Sequence, residues 1–132
     1  MINLYPKAVA LTQRYKPGYF SLTDKPISTF AAIKQSSRLI VSTTFSDLTI
    51  YPNPAINWLF RAHHDRIHLA SGLGFTLEEE IEVTKRGIIA LGLQTCPLLA
   101  DLYWLDNVGM QLEYYRTGSF PTNQLAFIAK AL

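Results

Sequence analysis

The chain has little with which to cross-link itself. A single cysteine, Cys96, among 132 residues excludes a disulfide framework and any zinc site built mainly on thiolates. No apolar run reaches the roughly 18 residues that a spanning helix needs. Met1–Lys16 is too polar for a signal peptide, so a cytoplasmic protein without a transmembrane segment is expected. Charge is also sparse, at 17% of residues and a net +2. That argues against nucleic-acid binding driven by bulk charge. The excess is local: residues 1–60 hold six Lys/Arg against two Asp/Glu, which reads as a solvated basic surface, with a weak acidic partner as the rival. Neither a phosphate-cradling glycine loop nor a G-x-S-x-G nucleophile turn is present. No histidine precedes His63, which removes the HD-type phosphohydrolase that the adjacent His64-Asp65 pair invites.

What the chain does have is apolar content. At 48% apolar residues it can build one core, burying roughly 68% of its unfolded surface. A single domain over residues 1–132 is expected, with two textures. Residues 1–52 are turn-rich, broken by Pro6, Pro17-Gly18 and Pro26. Within them Ser28–Gln35 reads as a two-turn helix capped by Ser28. Arg38–Tyr51 is rich in Ile, Val, Thr, Phe and Tyr and reads as a β-hairpin turning near Ser46-Asp47, with an irregular helix as the rival.

Residues 53–132 read as helices. Asn53 and Pro54 suit the cap and first turn of a helix running to about Ala70, with Gly72 as its stop. Thr76 and Glu79 form a capping box for a helix continuing to about Leu93. Pro97, preceded by Thr95 or Cys96, opens a third that ends near Arg116, before Gly118. Pro121 opens a short last one. The fold class is therefore mostly α, a small domain of about four helices with a short irregular or β-hairpin N-terminal part.

All three histidines fall within six residues, His63-His64-Asp65-Arg66-Ile67-His68. At about 100° per residue, His68 lies about 40° and Asp65 about 100° from His64, so their side chains can converge on one ion. His63 projects at about −100°, among Ile56, Leu59, Ile67 and Ala70, and is expected inside the core as a second-shell group. Of the acids Glu78, Glu79, Glu80 and Glu82, only Glu80 shares the face of Thr84, Gly87, Ile88 and Leu91. A carboxylate on a packed face is costly unless paired or bound to a metal. The Gly72-Leu73-Gly74 turn would swing Glu80 towards His64 and His68. The other acids suit the positive end of their helix and a solvated face. Tyr103, Trp104, Tyr114 and Tyr115 have helical spacing and read as core or interface. Cys96 reads as an inert helix-start residue.

The string His64-Asp65-x-x-His68, eleven residues and then Glu80 resembles the H-D-x-x-H-x11-E metal motif of the coenzyme-Q (ubiquinone) biosynthesis protein 4 family. The likeness covers roughly residues 55–95 and includes Leu69 and Gly72. It implies a largely helical protein with His64, Asp65, His68 and Glu80 as ligands. It also implies modification of a quinone ring, including loss of a carboxyl group.

Two imidazoles and two carboxylates suit a divalent ion, zinc best, with ferrous iron and manganese compatible. The expected function is a small metal-binding protein. If it is an enzyme, it is a metal-dependent lyase or hydrolase acting on a small carboxylated or quinone-like compound. The alternative is a non-enzymatic binding or regulatory protein whose ion staples two helices. Its partner would be a small-molecule substrate or a protein, and homo-oligomers are compatible with the sequence.

Overall fold

The structure is a computed structural model, and it describes residues 4–16, 18–25, 34–35, 38–44, 46 and 48–132. It is mostly helical. In chain order the elements are α1 (Tyr5–Thr12), β1 (Phe20–Thr23), β2 (Lys34–Gln35), β3 (Arg38–Ser42), α2 (Pro54–Ser71), α3 (Leu77–Ala90), α4 (Pro97–Trp104), α5 (Met110–Thr117) and α6 (Gln124–Ala131). No helix among the described residues is long and apolar enough to cross a membrane.

Of the region expected as strand, Arg38–Ser42 forms β3, which lies at the centre of a small sheet in the order β1-β3-β2 whose other strands were not expected. β3 runs parallel to β1, with Phe20 opposite Leu39 and Leu22 opposite Val41, and antiparallel to β2. Alternation places Leu39 and Val41 inward. They pack on Ala62 of α2, with Phe20, Trp58, Leu69 and Phe75 around them.

This corrects two expectations. Among the described residues of Arg38–Tyr51, only Arg38–Ser42 is strand, and no hairpin partner follows it. After β3, the Ser/Thr-rich chain bonds to itself: Thr44 N donates to Ser42 Oγ at 3.2 Å and Tyr51 N to Thr49 Oγ1 at 3.2 Å. Such local bonds compete with a strand ladder. Ile50 and Tyr51 then enter the helical core. Ser46 is buried and receives a bond from Asn57 Nδ2 at 3.0 Å, while Asp47 lies outside the described residues. The helix expected over Ser28–Gln35 also fails at its end, because Lys34 and Gln35 pair with Leu39 and Arg38 as strand. Residues 28–33 lie outside the described residues.

The helices follow their caps. Asn53 Oδ1 accepts from Ile56 N at 3.1 Å, and Pro54 fills the first turn of α2. Gly72 ends it at φ +71°, its N–H donating to the His68 carbonyl at 2.9 Å, a conformation that a side chain disfavours. Thr76 and Glu79 cap α3 reciprocally. That helix stops at Ala90, earlier than Leu93, because Gly92 at φ +67° turns the chain into a short 3₁₀ turn. α4 and α5 are one rod interrupted by a π-helical turn, Leu105–Gly109. Asn107 Nδ2 donates to the Tyr103 carbonyl at 2.6 Å, competing with the ordinary i+4 backbone bond where the turn widens. α6 starts at Gln124 and not at Pro121, because Asn123 is the residue that caps it, accepting from Ala126 N at 2.9 Å.

The main core gathers Leu11 of α1, Phe60 of α2, Leu102 and Tyr103 of α4 and Ile128 of α6. Tyr103 is fully buried, Trp104 half-buried, and Tyr114 and Tyr115 are exposed. α2 lies between this core and the small sheet, so its polar residues sit where two apolar clusters meet.

Candidate metal centre

His64 and His68 are one helical turn apart on α2, and their rings meet edge to face with centroids 4.7 Å apart. Their Nε2 atoms are 3.1 Å from each other. The turn from Gly72 to Thr76 folds α3 back against α2 and delivers Glu80 to both. Its Oε2 lies 3.0 Å from His64 Nε2 and 3.3 Å from His68 Nε2. Glu80 is 5% exposed and is the buried member of the four neighbouring acids; Glu78 is exposed and Glu79 and Glu82 are half-buried. Glu79 instead serves the turn, accepting from Gly74 N at 2.6 Å.

The two rings are held firmly. His68 is wholly buried, and its Nδ1 lies 2.9 Å from the Leu73 carbonyl. A carbonyl can only accept, so Nδ1 carries a proton and a neutral ring keeps its Nε2 lone pair for the cluster. Phe75 packs edge-on against His68 and Phe60 stacks on His64. His64 Nδ1 is buried with no hydrogen-bond partner among the described residues. Asp65, on the next position of α2, brings a carboxylate oxygen into the group. The ligand atoms of His64, Asp65 and His68 all lie within 4.8 Å of one another, so they could hold a metal ion.

The electrostatics tie the members of the group to one another. Burial alone would raise the pKa of Glu80. Hydrogen bonds from His64 and His68 and their charge prevail and hold it at about 2. Burial likewise opposes a charged His68, yet the bond to Glu80 and its charge lift that pKa above the ordinary value. Asp65 is pushed up to about 6, chiefly by burial and further by Glu80, against the pull of His64, His68 and Arg61. Arg61 anchors its guanidinium on the Ser42 carbonyl at 2.7 Å, which ties β3 to the site.

His63 departs from the cluster. It is 6% exposed, stacks on Tyr15, and accepts at Nδ1 from Lys16 N–H at 3.3 Å. Neither ring nitrogen bonds a residue of the cluster. Burial, then the charge of His64, lowers its pKa to about 4, so the ring is neutral.

A second polar group adjoins the site and was not anticipated. The π turn carries Asp106 into the core, where it accepts from Tyr51 Oη at 3.1 Å, and Tyr51 in turn shares a hydrogen bond with Tyr15. Burial pushes Asp106 up to about 7, offset by the Tyr51 bond and by the charges of Arg61 and His64. The signal that could have found it is Asp106-Asn107 inside an otherwise apolar helix.

No family model, curated protein or solved structure matches this chain, so the resemblance to the coenzyme-Q biosynthesis family stands on the motif at residues 64–80 alone.

Proposed function

We propose that this chain is a divalent-metal-binding protein in which His64, His68 and Glu80 hold the ion, with Asp65 completing the set. The observation that carries this reading is the triangle of His64 Nε2, His68 Nε2 and Glu80 Oε2, with edges of 3.0, 3.1 and 3.3 Å. With metal–ligand bonds of about 2.0–2.1 Å in a tetrahedron, ligand atoms lie about 3.3 Å apart. Three atoms that are all able to act as lone-pair donors therefore stand close to the spacing that a zinc-sized ion requires. The His68–Leu73 bond is the support a ligating imidazole needs, since it fixes the tautomer and the ring. Two nitrogens and carboxylate oxygens favour zinc, with ferrous iron and manganese as competitors.

The burial of His68 and Glu80 between α2 and α3 favours an ion that joins the two helices. One cleft of about 290 Å³ among the described residues includes His63 and Ile67 in its lining, and another of about 390 Å³ includes Trp104 and Leu105.

A second reading, a metal-dependent lyase or hydrolase acting on a small carboxylated or quinone-like compound, draws on the motif. It also draws on Asp106, a buried carboxyl near neutrality that feels the charge of His64. An ion with an open position would supply Lewis acidity to a carboxylate, a carbonyl or water.

Elemental analysis of protein purified without added metal tests the proposal. About one equivalent of a divalent ion is expected, lost in His64→Ala and in His68→Ala. Metal-free wild-type protein that also fails to take up zinc would reduce the cluster to a buried histidine–glutamate ion pair.

A further inference from the structure

The outer face of α4 is only partly covered by the described residues. Leu98, Asp101 and Leu105 recur at i, i+3 and i+7, which places them on one side of the rod. With Trp104, Lys7 of α1 and the end of α6 they line a cleft of about 390 Å³. Leu98 is 61% exposed, and Trp104 and Leu105 are half-buried. Exposed apolar side chains that are contiguous, and not scattered singly, mark an interaction surface.

The two charges of the cleft decide what fits it. Lys7 and Asp101 both line it. Neither forms an ion pair with the other or with any other described residue. Asp101 is exposed and Lys7 half-buried, so both can reach a partner. A partner of one sign would set like charge against Lys7 or against Asp101, which is unfavourable across an interface. An uncharged partner would leave both without a counter-charge. The complementary surface is apolar and carries one charge of each sign, and this face is itself such a surface. Across a two-fold axis a face meets its own copy and every contact occurs twice. An axis passing between Lys7 and Asp101 sets each of them against the opposite charge of the second copy.

We propose that this face is the isologous interface of a homodimer, with Lys7 of each copy paired to Asp101 of the other around Leu98, Trp104 and Leu105. The apolar contact supplies most of the affinity, and the two charge pairs fix the register, because exposed ion pairs add little energy. The inference is independent of the metal, since it uses none of the candidate ligands.

The test is sedimentation velocity of the full chain over a wide range of concentration. The wild type should show a reversible monomer–dimer equilibrium. Lys7→Glu and Asp101→Lys should each weaken the dimer by roughly tenfold or more, because the two-fold repeats each repulsion. Mixing the two variants should restore it, since in the mixed pair every charge again meets its opposite. Leu98→Asp changes an exposed side chain and should fold, which its melting curve checks, yet stay monomeric. A wild-type chain that is monomeric at every concentration overturns the proposal and leaves the face to a different molecule. A dimer that ignores both charge reversals, variants that fail to recover on mixing, or a dimer of folded Leu98→Asp overturns it as well.

Discussion

The phenol of Tyr103 rests on the bare Cα of Gly87. A Cβ at Gly87 would overlap the Tyr103 hydroxyl oxygen and lie 2.8 Å from its Cζ. This contact brings α4 against α3 behind Glu80, and the Tyr103 hydroxyl, in turn, is buried without a partner among the described residues. Glycine is required here for close approach, since the middle of a helix needs no unusual backbone angle.

The first prediction follows directly. Gly87→Ala should destabilise the fold by about 1–3 kcal/mol, the usual cost of overpacking, despite the better helix propensity of alanine. Tyr103→Phe should be neutral or stabilising, because it removes an unpaired buried hydroxyl. Thermal melts of the two variants check both. A strongly destabilised Tyr103→Phe would mean that the hydroxyl has a partner.

The second prediction separates the acids of α3. Glu80→Gln should lower metal content sharply, because a neutral amide is a poorer ligand and cannot balance the two imidazoles. Glu78→Gln and Glu82→Gln should change stability by less than about 0.5 kcal/mol and leave metal content intact. Metal analysis and melting of the three variants decide it. Equal behaviour would remove Glu80 from the centre.

These variants test positions that the sequence placed well, and the reason is physical. Helix ends are decided by chemistry within four residues: Asn53 with Pro54, Gly72, Thr76 with Glu79, and Pro97. The phase of Glu80 then follows from the 3.6-residue repeat. Strand pairing was not legible in the same way, because the partner of Leu39 is Phe20, across a long connection. Ser42, Ser46 and Thr49, which bond to nearby backbone, look the same in sequence as residues that favour a strand. Asp106 escaped notice because its burial depends on a π turn, which shifts the register of every later residue on that rod.

The third prediction concerns acid. A metal ion must displace protons from imidazole, so its affinity should fall as pH drops. The pKa of His68 is raised by Glu80 in the metal-free site, so competition should begin above the ordinary 6.5. Zinc titrations across pH 5–8 should show affinity rising with pH over this range. A flat profile would argue against imidazole ligation.

The fourth prediction isolates Asp106. Its folded pKa of about 7 stands above its ordinary 3.8. The folded state therefore holds the proton more tightly than the unfolded chain does. The associated stability is complete below about 4 and is lost as pH rises through about 7. Asp106→Asn keeps an acceptor for Tyr51 and cannot ionise. It should be more stable than wild type at pH 8, by an amount on the order of 2–4 kcal/mol, and nearly equal at pH 4. Urea unfolding at both pH values measures the difference. No gain at pH 8 would place the ordinary carboxylate pKa back on Asp106.

The last prediction asks what the ion does for the fold. Chelation removes the charge that His64, His68, Asp65 and Glu80 face, but it removes no apolar contact. The larger core, with Leu11, Leu102, Tyr103 and Ile128 fully buried, contains none of the candidate ligands. The caps of α2 and α3 are made by Asn53, Gly72, Thr76 and Glu79, which are also outside the set. The metal-free chain can still satisfy its cluster partly by protonating a histidine beside Glu80, at some cost in stability. A chelator should therefore lower the melting temperature by several degrees at neutral pH while most of the far-UV helix signal persists. Added zinc should restore the melting temperature in proportion to its concentration over the dissociation constant, as ligand linkage requires. Complete loss of helix on chelation would instead make the ion an obligate part of the fold, and with it the joining of α2 to α3 would be the centre's whole function.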